Sequence, residues 1–111
     1  MANVLETVGK KLESGEQVLH QYRTILNGHD GFLILSTKRI RFLKQTGLFR
    51  AKFEVSIDVP YQKVKDIYTC SSHQLALKTI DKEYSFVSVG DILADIIVDE
   101  IKDIKQQVTH H

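Results

Sequence analysis

Apolar and polar residues alternate most regularly between Lys52 and Val59, where every second position is apolar. The apolar positions are Phe53, Val55, Ile57 and Val59. A period of two predicts a β-strand with all four of these side chains on one face, turned to a core, and the polar residues in solvent. Pro60 lacks the amide hydrogen that a strand ladder needs, so we expect the strand to end there.

A β-hairpin is predicted between Gly31 and Phe42. Two runs rich in β-forming residues, Phe32–Leu35 and Ile40–Leu43, flank the polar turn Ser36–Arg39. Strand-forming runs separated by a short polar segment are typical of two antiparallel strands joined by a turn.

Further short strands are predicted before and after the hairpin, with Gly, Asn, Asp or Lys in the connections. They cover Glu16–Leu26, Val64–Cys70, Gln74–Ile80 and Glu83–Val89. Together with the hairpin and the strand that begins at Lys52, they give about seven antiparallel strands. The fold class is therefore mainly β.

A helix is predicted at the C-terminal end of the chain. Ser88 and Asp91 can cap its start, and apolar residues then recur at helical spacing. These residues are Ile92, Leu93, Ile96, Ile97, Ile101, Ile104 and Val108. We expect this apolar face to be buried over the open end of a strongly bent sheet.

A leader helix is predicted at the N-terminal end, because apolar residues recur at helical spacing up to the Ser14–Gly15 breaker. These residues are Val4, Leu5, Val8 and Leu12. Two interpretations stay open. The stripe either docks on the rest of the domain or contacts a partner, which could be a second copy of the chain or a membrane surface.

Length and composition indicate one globular domain, since the chain has 111 residues of which 42% are hydrophobic and 26% charged. We assign residues 1–14 to the leader helix, 15–109 to the domain and 110–111 to a purification tag. The single cysteine excludes an internal disulfide, and neither a signal peptide nor a membrane-spanning run is recognisable. We therefore expect a cytoplasmic protein that can be peripheral at a membrane.

Charge is distributed unevenly, since Gly31–Phe53 contains no acidic residue. Its basic residues are Lys38, Arg39, Arg41, Lys44, Arg50 and Lys52. We interpret them as candidate ligands of anionic lipid headgroups, with Leu48 and Phe49 entering the membrane interface. In the alternative, the two internal arginines form cross-strand ion pairs, Arg41 with Glu54 or Arg39 with Asp58 according to the register, and Phe49 folds back over the barrel end.

The run from Gly31 to Phe42, followed by Val59–Val64, resembles the pleckstrin-homology (PH) superfamily, in particular GRAM and bacterial PH-like domains of the YokE type. Leu35–Arg39 is also similar to the core of the GLUE domain. The resemblance spans Glu16–Val108. It implies a seven-stranded bent sheet or barrel closed by a C-terminal helix, and a non-catalytic module for phosphoinositides, peptides or ubiquitin. The loop Asn27–Asp30 departs from inositide-binding PH domains, because it lacks Lys and Arg.

Catalytic and metal chemistry find little support in the sequence. Cys70 and His73 are the only neighbouring nucleophile and base, without a visible third group or a zinc ligand set. We expect Cys70 to be a small buried residue, and we expect no metal, no cofactor and no enzymatic activity. Nucleic acid is a poor candidate ligand, because the chain is not strongly basic.

Two functions remain for a non-catalytic binding or scaffold module. The first is weak peripheral contact with anionic lipids. The alternative is recognition of a peptide- or ubiquitin-type partner, or self-assembly, through exposed strand edges and the groove beside the closing helix.

Overall fold

The structure, a computed structural model, describes residues 12–46 and 52–109. Within these residues, seven strands precede one α-helix. The strands are β1 (Val18–Leu26), β2 (His29–Ser36), β3 (Arg39–Thr46), β4 (Lys52–Pro60), β5 (Asp66–Ser71), β6 (Gln74–Lys78) and β7 (Glu83–Ser88). A 3-10 turn covers Tyr61–Lys63, and the helix α1 covers Ala94–Thr109.

All seven strands form one antiparallel sheet in the order β4-β3-β2-β1-β7-β6-β5. β1 is central and pairs with β2 on one side and with β7 on the other. β4 and β5 are the two terminal strands of the sheet. The predicted seven-stranded antiparallel sheet followed by a C-terminal helix is confirmed.

The core lies between the inner face of the sheet and α1. Phe42 and Phe86, from two non-adjacent strands, meet there with ring centroids 5.8 Å apart. The helix contributes buried residues at helical spacing, which are Ala94, Ile97, Val98, Ile101 and Ile104. Burial of this face anchors α1 over the sheet, and each large side chain contributes about 1.5–3 kcal/mol to that packing.

A β-bulge in β4 overturns the prediction that its four apolar residues share one face. Phe42 pairs with Ile57, whereas the next residue of β3, Leu43, pairs with Val55. The extra residue in β4 reverses the alternation, because consecutive residues of β3 point to opposite faces. Ile57 therefore joins the core, whereas Val55 packs on the outer face of the sheet.

The apolar residues on that outer face form a separate group, the outer-face cluster. Its members are Leu12, Val18, Phe32, Ile34, Leu43, Phe53 and Val55. Leu12 is the only predicted leader-helix contact residue that the structure describes, and it lies in an irregular segment. Val4, Leu5 and Val8 lie outside the described residues.

The helix begins later than predicted, so part of its predicted buried face is exposed. Ser88 belongs to β7, and Ile92 and Leu93 precede the first helical residue, Ala94. Leu93 is 40% exposed and Ile96 is 45% exposed. The prediction that these residues line the core was wrong, because the stripe that starts at Ala94 and Ile97 faces the sheet instead.

Within residues 12–46 and 52–109, no helix combines the length and apolarity that crossing a bilayer requires.

Candidate functional site

The basic residues at the start of β3 are held in ion pairs. The Arg39 guanidinium binds the Glu16 carboxylate through two nitrogens, at 2.9 and 3.1 Å, and lies 3.3 Å from Asp58. Its side chain is 14% exposed. Arg41 is buried, and its Nε lies 3.5 Å from the same Asp58. The predicted ion pair of Arg39 with Asp58 is therefore present. Neither predicted register is observed, because Arg41 lies opposite Asp58 and Lys44 lies opposite Glu54.

Glu16 is the partner that the sequence analysis missed. Its carboxylate accepts hydrogen bonds from the Ser36 hydroxyl and from the backbone amide of Glu13, besides those from Arg39. Burial alone would raise the pKa of Glu16, but these hydrogen bonds and the Arg39 charge outweigh burial and lower the pKa to about 2. The carboxylate is therefore charged at neutral pH and neutralises part of the basic stretch.

A buried tyrosine completes this polar group. The Tyr61 hydroxyl donates to the Ser36 carbonyl oxygen at 2.7 Å, and burial raises the pKa of Tyr61. The 3-10 turn is thereby joined to the β2–β3 turn. Contacts of this kind define a structural role for the Ser36–Arg39 segment.

The other predicted headgroup ligands are spread along β3 and β4. Lys38 donates to the Ser14 carbonyl oxygen at 3.0 Å and lies 3.5 Å from Glu13. Lys44 is five residues beyond Arg39, which is about 16 Å along a strand, and it pairs in register with Glu54. Lys52 is exposed at the start of β4. The described bases therefore do not converge on one point.

The remaining residues predicted to contact lipid lie outside the part of the chain that the structure describes. For Leu48 and Phe49, entry into the membrane interface stays a prediction, as does headgroup binding for Arg50.

A second candidate site lies at the outer edge of β5, which pairs on that side with no other strand of the described residues. β5 is a terminal strand that pairs with β6, and five of its six residues are exposed. Alternate backbone groups of such a strand point away from its neighbour and can bind another chain. Cys70 lies at an irregularity in this strand and is exposed. The prediction that Cys70 is buried was wrong, because only Ile67 of β5 reaches the core.

The start of α1 forms the other wall of this site. Ser72, in the turn that follows β5, accepts a hydrogen bond from the Ala94 amide at 2.8 Å, which fixes the helix beside the strand. Between them lies a depression of about 230 Å³, here called the β5–α1 groove. Its lining residues are Thr69, Ser71, Ser72, Leu93 and Asp95.

The groove combines three kinds of surface. The β5 edge offers backbone hydrogen-bonding groups, Leu93 offers an apolar contact, and Asp95 offers a negative charge. Asp91 and Asp99, four residues to either side of Asp95, are also exposed. An extended segment with apolar and basic side chains complements this arrangement.

The groove beside the closing helix was predictable from the sequence only in general terms. Leu93 and Ile96 were predicted to lie on the buried face of the helix, and no site residues were predicted in the groove. One signal was available, because neighbouring pairs such as Ile92–Leu93 and Ile96–Ile97 span more of a helix circumference than one buried stripe requires.

In the part of the chain that the structure describes, no three His, Cys, Asp or Glu side chains are placed to hold a metal ion. His73 Nδ1 lies 3.1 Å from the Ser72 hydroxyl, next to the groove.

Comparison with known proteins identifies the fold. A family model described as "Bacterial PH domain" matches residues 12–103. The structure is similar to the Vps36 N-terminal PH domain, with a TM-score of 0.64, 13% identity, and 90% of this chain and 86% of that one covered. It is also similar to the C-terminal domain of an unknown protein from Leishmania infantum, with a TM-score of 0.65, 15% identity, and coverage of 92% and 94%. No curated protein matches the sequence. The predicted resemblance to the PH-like superfamily is confirmed.

Proposed function

The chain belongs to the bacterial PH domain family, and we propose that it is a protein-recognition module that adds an extended segment of a partner to β5. PH-like domains commonly serve as binding modules, and we take this general role as the premise for a more specific one. The observation that carries the proposal is the free edge of β5 beside the exposed Leu93.

Strand addition would use both the backbone groups at the edge of β5 and the exposed side chain of Leu93. A partner strand gains backbone hydrogen bonds along β5, and its alternate side chains turn toward the start of α1. An apolar side chain that covers Leu93 removes two apolar surfaces from water at once. The hydrogen bonds then supply affinity for any strand, and the groove wall supplies selectivity.

The charge of the groove wall sets the partner's chemistry. Asp95 lines the groove, and Asp91 and Asp99 lie near it in sequence and are exposed. Acidic side chains at the rim of a contact speed the approach of a basic partner and disfavour an acidic one. We therefore infer a partner segment in which apolar residues alternate with Lys or Arg.

The described contacts favour this function over the lipid contact that the sequence analysis put first. Arg39 and Arg41 are engaged with Glu16 and Asp58, and Lys38 lies beside Glu13. Lipid contact would then depend on Lys44 and Lys52, together with Leu48, Phe49 and Arg50 from outside the described residues. It remains the alternative against which the proposal is tested.

Peptides selected from a random-sequence phage library against the full chain provide the test. We expect the selected peptides to alternate apolar and basic residues. Leu93→Ala and Asp95→Lys should each weaken their binding by about tenfold, which corresponds to about 1.4 kcal/mol. Fluorescence anisotropy of the labelled peptides measures the change.

Matched controls lie in the β6–β7 turn, away from the groove. Ile80 is 74% exposed and Asp81 is exposed, so Ile80→Ala and Asp81→Lys repeat the two changes on a surface outside the groove. They should alter binding by less than about twofold. The proposal is wrong if no peptides are enriched, or if groove and control variants behave alike. Pelleting with phosphatidylserine vesicles at low salt, in the absence of peptide binding, would favour the lipid function instead.

A further inference from the structure

The outer-face cluster is buried more deeply than its position in the sheet explains. Ile34 is 1% exposed and Leu43 is 0% exposed, yet both lie on the face of the sheet opposite α1. The helix packs against β5, β6 and the 3-10 turn, on the inner side. Neighbours within a sheet shield a side chain from the flanks only, so these two residues require a cover from outside the sheet.

One described residue outside the strands reaches the cluster, and that residue is Leu12. It is the first residue that the structure describes, so residues 1–11 connect directly to a side chain already seated on the outer face. The cover therefore begins where the described part of the chain begins.

The point at which the chain reaches this face is fixed by charge. The Glu13 amide donates to the Glu16 carboxylate at 2.9 Å, and the Glu13 carboxylate lies 3.5 Å from Lys38 and 3.7 Å from Arg39. Glu16 is in turn bound by Arg39, at the start of β3. These contacts hold the segment before β1 at the margin of the cluster.

The sequence preceding this anchor has the composition of a cover. Leu12 is the last of the apolar residues that recur at helical spacing, after Val4, Leu5 and Val8. These four positions make the segment that leads to Leu12 rich in apolar residues, as a cover for Phe53 and Val55 must be.

We propose that the outer-face cluster is an intramolecular docking surface and that its occupant is the chain's own residues 1–11. This interface is independent of the β5–α1 groove, which uses the opposite end of the sheet.

Thiol labelling of single-cysteine variants of the full chain tests the proposal. In a Cys70→Ser background, Val55→Cys reports on the covered face. Val87→Cys is the matched control, because Val87 is 40% exposed on the outer side of β7, beyond the cluster. Val55→Cys should react at least about tenfold more slowly than Val87→Cys.

Adding Val8→Asp to the Val55→Cys chain should then raise the labelling rate of the introduced thiol about tenfold. The same Val8→Asp change should leave the labelling rate of the Val87→Cys control unaltered, which would show that the sheet is intact. An unchanged rate at Val55→Cys would overturn the proposal, as would equal rates for the two thiols before Val8 is altered. A labelling rate that falls as the protein concentration rises would assign the cover to a second copy and would also overturn it.

Discussion

At the scale of single residues, Glu16 holds the segment before β1 against the β2–β3 turn. Its carboxylate accepts hydrogen bonds from Ser36 and Arg39, which lie 20 and 23 positions further along the sequence. No local pattern marks such a pairing, and this is why the basic stretch looked like a free ligand-binding surface in the sequence. The types of residue were visible in the sequence, but their partners depended on the folded chain.

The lowered pKa of Glu16 gives a pH-dependent stability. Since the pKa falls from an ordinary 4.5 to about 2 on folding, the contribution is complete above about pH 4.5 and is lost as the pH falls toward 2. We expect Glu16→Gln to lower the free energy of unfolding by about 2 kcal/mol at pH 7, after allowance for solvent screening, and by much less near pH 2.

Urea denaturation across this pH range measures the difference. Asp81→Asn, an exposed carboxylate in the β6–β7 turn, is the control and should change stability by less than about 0.5 kcal/mol. A Glu16→Gln effect that stays constant from pH 7 to pH 2 would show that the charge of Glu16 plays no part.

At the scale of elements, strands were predictable where apolar and polar residues alternate and turn-forming residues follow. The hairpin formed as expected, and Asn27 and Gly28 adopt the positive φ values, 53° and 80°, that a two-residue turn between β1 and β2 requires. The bulge in β4 was not predictable, because it depends on how Phe42 and Leu43 meet Ile57 and Val55. The late start of α1 likewise depends on the contact between Ala94 and Ser72.

Gly31 in β2 gives a prediction at this scale. A Cβ atom there would lie 2.2 Å from the Leu43 carbonyl oxygen and 2.6 Å from the Phe42 ring, so β2 and β3 would have to separate. We expect Gly31→Ala to destabilise the fold by about 3 kcal/mol or more. Guanidinium denaturation, followed by circular dichroism, measures the loss.

The matching variant is Gly28→Ala in the β1–β2 turn. It meets open space but has a φ of 80°, so a cost of about 1 kcal/mol is expected from backbone strain alone. If both alanines cost the same, close packing at Gly31 does not govern the pairing of β2 with β3.

At the scale of the whole molecule, the sheet order decides which surfaces are available. Because β1 pairs with β7, the terminal strands are β4 and β5, and α1 begins beside only one of them. The resemblance to PH-like domains was sufficient to predict the sheet and the closing helix. It did not predict that Leu93 would stay exposed beside a free edge, since exposure there follows from where the helix starts.

Amide hydrogen exchange, measured by NMR with and without a selected peptide, tests the central claim most directly. If a partner strand joins β5, the amides of Asp66–Ser71 that point away from β6 should exchange at least about tenfold more slowly in the complex. The amides of β4, the other terminal strand, should be unaffected. Unchanged exchange in β5, or equal slowing in β4 and β5, would contradict recognition at this edge.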